Sequence, residues 1–491
     1  MRTFHAPVGA NLFALRVLKI VCGRTSSPLR VVVTVAAMLL AGCTVGPDYV
    51  RPSVDTPAVF KEAGDWKPAS PQDPADSDRW WTVFGDPVLD ALQARVSISS
   101  QNLRLAEAQY RQARALADAA RASGFPTLNA TAGATRSASA AATASAGNAP
   151  PVNNFSLGAS ASWEADLWGR IARNVDAAEL RAEASAADLA AARLSAWAAV
   201  AQNYFQLRAA DRQRQILDAS VVAYERSLQL TRNRYAAGVA GRVDVVQAES
   251  QLRSARAAAL DASLSRSQFE HAIAVLLGEA PANFAIAAVD GELPGAAVPV
   301  TLPSTLLERR PDIAAAERRV AAANAAIGAA QAARFPVLGL SASTGFRRSD
   351  LAELISVPSR YWSLGPTLAA TLFDAGAKKA AVGQARAGWE QAVASYRQTV
   401  LVAFQEVEDN LAAARHLEAA AREQAAAVAA AAEAEAIAGN QYRAGTVSYL
   451  NVVTAQASHL AARNAANNIA ARRLVAAVLL AKNTGGGLGK E

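Results

Sequence analysis

The sequence predicts a mainly helical protein with membrane β-strands, built from two copies of one structural unit. Three observations predict this fold class: an internal repeat, segments in which apolar and polar residues alternate, and long stretches without proline. A repeat of this size indicates a duplicated unit, and alternation with period two is typical of strands.

The N-terminal residues have the composition of an export leader. They carry five basic residues and no acidic one before Cys43, and they end in the apolar run Val31 to Leu40. That run is shorter than the ~20 residues that a membrane-spanning helix needs. We therefore interpret residues 1–42 as a signal peptide.

Cys43 is the predicted site of lipidation. The string Leu40-Ala41-Gly42-Cys43 resembles the lipobox of bacterial lipoproteins, in which the cysteine becomes the first residue of the mature chain. Thr44 follows it, whereas lipoproteins retained in the inner membrane typically have Asp there, so the resemblance implies the outer membrane. The lipid on Cys43 is the only non-protein group that the sequence predicts, and it predicts no other cofactor and no metal.

The net charge of the mature chain differs from that of the whole sequence. The whole chain has a formal net charge of +7, and five of these positive charges lie in the leader. The mature chain is therefore close to neutral, and its composition does not predict nucleic-acid binding. Cys22 also lies in the leader, so the mature chain has no pair of cysteines for a disulfide.

The internal duplication defines the organisation of the chain. Residues 102–126 align with residues 312–336 at an offset of 210, and Tyr235-Ala-Ala-Gly238 aligns with Tyr442-Arg-Ala-Gly445 at an offset of 207. From this we predict an anchored segment (43–88), a first repeat (89–278), a linker (279–305), a second repeat (306–482) and a tail (483–491). Each repeat begins with a helix, Leu89 to Ala122 or Pro311 to Ala333.

Each repeat then has two segments of alternating pattern. In the first repeat, one starts at Phe125 and the other runs from Phe155 to Trp163; in the second, one starts at Phe335 and the other runs from Leu364 to Leu372. Four strands of about ten residues have the length that crosses an outer membrane. Hairpins on a soluble domain are the alternative. Four strands are too few to close a barrel, and lipid does not tolerate free strand edges. If these strands cross a membrane, other chains must therefore complete the sheet.

A very long helix follows each pair of strands. Arg170 to Tyr235 contains no proline and no glycine, and at 1.5 Å per residue it spans about 100 Å. A helix of this length needs neighbours in a coiled bundle. Gly238 and Gly445 then lie in tight turns between two helices, where a left-handed backbone is expected.

Several strings resemble the outer-membrane factor (TolC-like) family, in its lipoprotein branch of efflux proteins. They are Cys43 to Pro52, Trp80-Trp81, Asp86-Pro87, Leu302 to Ile313 and the two Tyr-x-x-Gly turns. The resemblance covers nearly all of the mature chain. It implies a homotrimer with one twelve-stranded β-barrel continuous with a long periplasmic α-helical barrel, acting as a passive exit duct for drugs or other small molecules.

The resemblance also implies partners and sites. Outer-membrane lipid surrounds the barrel, and a periplasmic adaptor protein links the channel to an inner-membrane pump of RND type. The adaptor contact is expected at the turns, at Tyr235, Gly238, Tyr442 and Gly445. Aperture candidates are Asp244 and Gln247 in the first repeat and Asn451 and Thr454 in the second. Only Asp244 is acidic, and an N-cap of the following helix is its alternative role.

Other functions have less support. The mature chain has three histidines, His271, His416 and His459, each alone on a helical stretch, and it contains no nucleophile elbow, phosphate loop or zinc spacing. We therefore predict a protein that is not an enzyme. A duct for type I protein secretion remains the alternative function, followed by a lipid-anchored periplasmic coiled-coil scaffold.

Overall fold

The computed structural model describes residues 45–54, 61, 77–138, 151–295 and 310–486. Cys43, Thr44, the signal peptide and residues 296–305 of the predicted linker lie outside these residues. The chain divides into two compact units. The first contains the four strands and the helix ends next to them, and the second contains most of the helical residues.

The order of elements repeats the same plan twice. A 3₁₀ segment, Ser77–Phe84, precedes the first repeat. The elements of the two repeats, in chain order, are α1 (Pro87–Ser99), α2 (Gln101–Ala122), β1 (Thr127–Ser137), β2 (Val152–Ala165), α3 (Arg170–Ala236), α4 (Arg242–Leu277), α5 (Pro311–Ala332), β3 (Val337–Arg348), β4 (Arg360–Ala369), α6 (Ala377–Ala444) and α7 (Tyr449–Asn483). The predicted strands and long helices are therefore present in both repeats.

The strands form one antiparallel sheet in the order β1-β2-β3-β4. Each repeat contributes one hairpin, and β2 pairs with β3 across the two repeats. The predicted fourth strand was shifted toward the C-terminus, because β4 begins at Arg360 and ends at Ala369, so that Leu372 lies beyond it. Both sheet edges, β1 and β4, have no partner strand within the described chain.

The predicted first helix is interrupted. Ser100 has ψ of 121°, which ends α1 and separates it from α2. At this break the Ser99 hydroxyl donates to the carbonyl of Leu277 at 2.5 Å, and Gly278 lies so close to Ser99 that an added Cβ would collide with its carbonyl oxygen. The contact with α4 therefore sets the break, which no proline or glycine marks in the sequence.

A duplicated corner joins each hairpin to its long helix. Asp166 accepts from the backbone N–H of Ala172 at 2.7 Å, and Asp374 accepts from those of Gly376 and Lys378 at 2.9 and 3.0 Å. These backbone donors hold the pKa of Asp374 below its usual range. Gly169 and Gly376 have φ of +75° and +89°, a region that glycine adopts without strain.

Four clusters of buried side chains lie in the described part of the helical unit. The largest joins the 3₁₀ segment to α1, α3, α4 and α7, with Trp80, Trp81 and Phe84 at its centre. Asp86 caps α1 through the N–H groups of Val88 and Leu89 and also accepts from the Tyr204 hydroxyl at 2.6 Å. This explains why Trp80-Trp81 and Asp86-Pro87 occur together: they anchor the segment before the first repeat.

Alanine permits close contact between the long helices. Ala248, Ala255, Ala259 and Ala262 of α4 are buried at its contacts with neighbouring helices. Small side chains let helix backbones approach, and they lower the rotamer entropy lost on packing. In the part of the chain that the structure describes, no helix is both long and apolar enough to cross a membrane.

Candidate functional site

The sheet has one apolar and one polar face. Directly paired residues point to the same side, so the register places Leu128, Ala161, Ala342 and Leu364 in one row across all four strands. Rows above and below it contain Leu157, Trp163, Leu338, Leu340, Phe346, Trp362, Pro366 and Leu368, with Thr344 as a polar member. Many of these side chains are exposed in the single chain, Leu364 at 75%. This face is suited to contact with lipid.

The opposite face carries hydroxyl and amide groups. Asn129, Ser160, Ser343 and Ser363 form one of its rows. Hydroxyl pairs link neighbouring strands, Thr127 with Ser162 and Ser343 with Ser363, each at 2.8 Å. A polar face opposite a lipid-facing one is the arrangement found around a water-filled channel.

A glycine pair on the polar face accommodates an aromatic ring. Gly158 pairs with Gly345, which pairs in turn with Tyr361. A Cβ added at Gly158 would lie 2.5 Å from the Tyr361 hydroxyl oxygen, so only glycine leaves room for this ring. The Arg347 guanidinium lies over the same ring, 5.3 Å from its centroid. Tyr361 thereby covers a part of the sheet that lacks side chains of its own.

Aromatic rings cluster at the strand ends that lead into helices. The Trp163 indole donates to the carbonyl of Gly124 at 2.9 Å, and that of Trp168 donates to the carbonyl of Pro336 at 2.7 Å. Trp168 also stacks on Phe335 with ring centroids 4.8 Å apart. Rings that are apolar on one side and hydrogen-bonded on the other are enriched at membrane interfaces.

The two interhelical turns are Schellman motifs. Gly238 and Gly445 have φ of +75° and +80°, which confirms the predicted left-handed conformation. In each turn the glycine N–H bonds to the tyrosine carbonyl three residues earlier, at 2.9 Å for Tyr235 and 3.0 Å for Tyr442. The next N–H bonds to a carbonyl five residues earlier, Val239 to Arg234 and Thr446 to Gln441. The two repeats therefore match in hydrogen-bonding detail.

Arg234 connects the two turns. Its guanidinium donates to the carbonyls of Tyr442 and Arg443 at 3.0 and 3.4 Å and lies over the Tyr442 ring, 4.7 Å from its centroid. It thus satisfies carbonyls that the end of α6 leaves free. Sequence reasoning missed Arg234, because the aligned residue of the second repeat is Gln441.

The two turn tyrosines have different environments. Tyr235 is 46% exposed, whereas Tyr442 is only 4% exposed and packs against Tyr449, with ring centroids 5.3 Å apart. Tyr449 is also buried, and burial raises the pKa of its phenol. The expectation that both tyrosines offer contact surface is therefore corrected for Tyr442. Its ring belongs to the core of the turn region, with Tyr224 and Leu228.

Exposed apolar side chains surround the first turn. They are Tyr235, Val239, Val243 and Val246, and Leu450 is exposed next to the second turn. We call these five residues the tip patch. Clustered exposed apolar side chains are typical of surfaces that bind another protein.

The aperture candidates differ in exposure. Asn451 and Thr454 are exposed on α7, and the Thr454 hydroxyl donates to the carbonyl of Leu450 at 2.9 Å. Asp244 and Gln247 are half-buried on α4, and the Gln247 side-chain oxygen has no hydrogen-bond partner among the described residues. The structure thus offers these four side chains on the first turns of α4 and α7.

Asp244 is not the N-cap of α4. Gly241 occupies that position, with φ of −80° and ψ of 157°, and Asp244 is the third helical residue. The Asp244 carboxylate accepts from the N–H of Gly241 at 3.3 Å, while the N–H of Asp244 bonds to the carbonyl of Gly241 at 3.1 Å. Asp244 therefore takes part in capping α4, but from the third helical position rather than from the predicted N-cap position.

The Arg310-Pro311-Asp312 string belongs to an ion-pair cluster around a buried arginine. Arg310 is 5% exposed and holds Asp312 through two bonds, Nε–Oδ1 at 3.1 Å and Nη2–Oδ2 at 2.7 Å. Its Nη1 donates to Glu406 of α6 at 2.8 Å and lies 3.5 Å from the carbonyl of Asn483 at the end of α7. One guanidinium thus joins the start of α5 to two other helices.

Burial and pairing act in opposite directions on this cluster. Burial alone would raise the pKa of Asp312, but the hydrogen bonds and charge of Arg310 outweigh it and hold the pKa below its usual value. For Arg310, burial would lower the pKa, and Asp312 and Glu406 raise it above the usual value. Arg310 and Asp312 are therefore both charged at neutral pH.

The segment before the first repeat packs closely on α5. Gly46 has φ of +126°, and a Cβ added there would lie 2.5 Å from the Cα of Gly328. The Asn324 amide donates to the carbonyl of Pro47 at 3.1 Å. Tyr49 donates to Glu317 at 2.6 Å, and burial followed by that carboxylate raises the pKa of its phenol. Gly46-Pro47 and Tyr49 therefore fix the described segment that follows Cys43, the predicted site of lipidation.

Two of the described histidines contact charged side chains. His459 contacts the Glu435 carboxylate at 2.5 Å, and His416 contacts the Arg415 guanidinium at 3.3 Å. Within the described ranges, no group of three or more His, Cys, Asp or Glu side chains is placed to hold a metal ion.

The family model described as "outer membrane efflux protein" matches residues 92–279 and 302–486. The pyoverdine export outer membrane protein OpmQ of Pseudomonas aeruginosa is 34% identical over 463 residues, covering 92% of this chain and 95% of the relative. The toluene efflux pump outer membrane protein TtgC of Pseudomonas putida is 32% identical, covering 94% of this chain and 96% of the relative.

A solved structure has the same fold. The outer-membrane channel OprN superimposes with a TM-score of 0.85 at 31% sequence identity, covering 91% of this chain and all of the OprN chain. The predicted fold class, a duplicated and mainly helical chain with a membrane β-sheet, is confirmed by this similarity.

Proposed function

Because the chain belongs to the outer membrane efflux protein family and is an outer-membrane efflux channel, we propose that three copies of it form one passive exit duct for drugs or other small molecules. In this role the chain provides the channel and its anchor in the membrane, and it catalyses no reaction.

The two-faced sheet with unpaired edges carries this proposal. Backbone groups at a free strand edge have no water to bind in the hydrocarbon region, so a membrane sheet must close on itself. Outer-membrane barrels have at least eight strands. Three copies of a four-stranded sheet give a twelve-stranded barrel in which β1 of one protomer pairs with β4 of its neighbour. The apolar face then meets lipid and the polar face lines the lumen.

The long helices supply the periplasmic part of the duct. At 1.5 Å per residue, the 67 residues of α3 and the 68 residues of α6 each extend about 100 Å. With α4 and α7, each protomer contributes four helices, so three protomers give a twelve-helix α-barrel. The turns at Gly238 and Gly445 lie at the far ends of these helices, which supports their assignment to the periplasmic tip.

The tip patch is the proposed contact of a periplasmic adaptor protein. Tyr235 and the valines of the first turn offer apolar surface, while Tyr442 supports the second turn from within. The adaptor in turn connects the duct to an inner-membrane pump, proposed to be of RND type.

The cargo is set by the pump rather than by the duct. The related proteins are described by cargoes as different as pyoverdine and toluene, yet they share about a third of their residues with this chain over nearly its whole length. A single channel architecture that serves such different molecules selects little. Export of proteins in a type I system would also use a passive outer-membrane duct and is the alternative function.

Assembly provides the direct test. In mild detergent, the purified mature chain is expected to run as a trimer, and heating the sample before electrophoresis should convert the trimer band to a faster-migrating monomer band. Circular dichroism should show mostly helix with a minor β component. A stable, folded monomer that shows no shift on heating would contradict the barrel and would favour the scaffold.

We further propose that Cys43 carries a covalent lipid. Cells fed radioactive palmitate should label the wild-type protein, whereas Cys43→Ser should remain unlabelled because no thiol is left for acylation. Cys22→Ser is the matched control and should be labelled like wild type. Equal labelling of the Cys43 variant would contradict lipidation at this site.

Asp244 is proposed to contribute a ring of three carboxylates to the aperture. Asp244→Asn removes the charge but keeps an oxygen that can accept from the N–H of Gly241. In planar bilayers the variant should lose cation preference and block by multivalent cations, because the field at the aperture weakens. Asp261→Asn, on the same helix, is the control. Unchanged selectivity in Asp244→Asn would exclude Asp244 from the aperture.

A further inference from the structure

Arginines occupy the hairpin ends of the sheet on its apolar face. Arg136 continues the alternation of Leu128, Ala130, Ala132 and Ala134 along β1. Arg360 pairs with Phe346 at the start of β4, and Arg348 pairs with Phe155 at the end of β3. On this face, apolar side chains therefore extend from the strand ends that lead into helices toward the hairpin ends. The rows closest to the hairpin loops contain the arginines.

Two of these arginines have no neutralising partner among the described residues. Arg136 and Arg360 are exposed, and neither forms an ion pair there, whereas Arg348 is paired with Glu353 at 2.5 Å. The loop sequence between β1 and β2, residues 138–151, contains no acidic residue. The positive charge at this end is thus left for a group outside the chain.

The two unpaired arginines also lie on the two edge strands. β1 and β4 are the outer strands of the four-stranded sheet. In the closed barrel of the proposed function, these strands become neighbours from adjacent protomers. Arg136 of one copy and Arg360 of the next then approach the same seam, and two like charges at one seam are stabilised by an anion.

The hairpin ends face the cell exterior. The opposite strand ends lead into α2, α3, α5 and α6, whose long members belong to the periplasm in the proposed function. The arginines therefore lie at the level of the outer leaflet, on the lipid side of the barrel.

We propose that Arg136 and Arg360, with Arg348 beside them, bind the phosphate groups of the phosphorylated glycolipid of the outer leaflet, lipopolysaccharide. The inference rests on the proposed trimeric barrel. The ligand must combine anionic phosphate with acyl chains, because Arg360 lies in the same row as Phe346 and Leu157, next to the apolar rows of the same face. A free phosphate ion meets only the charged rows. One guanidinium group can donate two parallel hydrogen bonds to two oxygens of the same phosphate, which favours arginine at such a site.

The test compares arginines on the two faces. Arg347 lies on β3 next to Arg348, but its register partner is Ser156 on the polar face. The wild type, the double variant R136Q/R360Q and the control R347Q are purified as trimers in detergent and stripped of lipid. Binding is then measured with bisphosphorylated lipid A, dephosphorylated lipid A and inorganic phosphate.

Wild type and R347Q should bind bisphosphorylated lipid A equally and much more tightly than the other two probes. Each charge-assisted contact with phosphate contributes about tenfold in affinity, so the double variant should bind this lipid roughly a hundredfold more weakly. R136K/R360K should recover part of the loss, because the charge returns without the paired geometry.

Three results would overturn the inference. One is tight binding of lipid A by R136Q/R360Q, the second is an equal loss in R347Q, and the third is equal affinity for inorganic phosphate and lipid A. Failure of the wild type to form a trimer would instead contradict the proposed function, and the two failures are distinguishable because trimer formation is checked before binding is measured.

Discussion

Replacing Gly445 with valine is expected to abolish export while leaving trimer assembly and delivery to the outer membrane unchanged. Gly445 has φ of +80°, and the N–H groups of Gly445 and Thr446 complete the Schellman motif at the end of α6. The left-handed conformation costs an ordinary residue roughly 1–2 kcal/mol, and a β-branched one more. The nearest atom to an added Cβ is Nη2 of Arg234 at 3.8 Å, so the effect is conformational rather than steric.

The Gly445→Val substitution is expected to alter the proposed adaptor contact through Arg234. Rearrangement of the second turn moves the carbonyls of Tyr442 and Arg443, which hold the Arg234 guanidinium. Arg234 precedes Tyr235, so the tip patch shifts with it. The strands belong to the other compact unit and keep their own contacts.

The measurement is drug susceptibility of a strain that lacks its own outer-membrane channel and expresses the cognate adaptor and pump. Gly445→Val should leave the strain as susceptible as one without any channel. Gly439→Val is the control, because Gly439 lies in the same helix with regular helical backbone and has no atom within 4 Å of an added Cβ. Equal export by both variants would remove the second turn from the proposed docking surface.

Regular elements were predictable because local sequence determines them. The absence of helix breakers predicted α3 from Arg170 to Tyr235, and the structure ends it at Ala236. Alternation predicted both hairpins, since one apolar and one polar face leave a period of two along each strand. The positive φ of Gly238 and Gly445 followed from a glycine between two helical stretches.

Features that depend on contacts between distant residues were not predictable. The break at Ser100 reflects a contact with the end of α4, 178 positions away in sequence. Tyr235 and Tyr442 occupy equivalent places in the two repeats, yet only Tyr442 packs against Tyr449 and below Arg234. Duplicated sequence therefore predicts the backbone of both turns, while the side-chain roles differ because the two turns face different neighbours.

The ion-pair cluster around Arg310 is expected to contribute clearly to stability. Arg310→Met leaves Asp312 and Glu406 without their cation, and breaking a buried pair from one side costs about 3 kcal/mol. Because the side chains of Asp312 and Glu406 are 38% and 34% exposed, water offsets part of this cost. The temperature at which the trimer dissociates on gels should fall clearly. Arg318→Met is the control, since Arg318 pairs with Glu183 at an exposed position and should cost less than about 1 kcal/mol.

The destabilisation should depend on pH in a defined direction. Folding lowers the pKa of Asp312, against the effect of burial, because Arg310 stabilises the carboxylate. The pair therefore adds its full stability above the usual carboxyl pKa of about 4, and this contribution is lost as the pH falls through the lowered value. The difference in dissociation temperature between wild type and Arg310→Met should be constant from neutral pH to about pH 5 and should shrink below about pH 4. The dissociation temperature of Arg310→Lys should lie between those of the wild type and Arg310→Met. Lysine keeps the charge, but it lacks the planar guanidinium group that holds Asp312 and Glu406 together. A difference that stays constant into strong acid would show that Arg310 acts by packing its aliphatic stem rather than by pairing with Asp312.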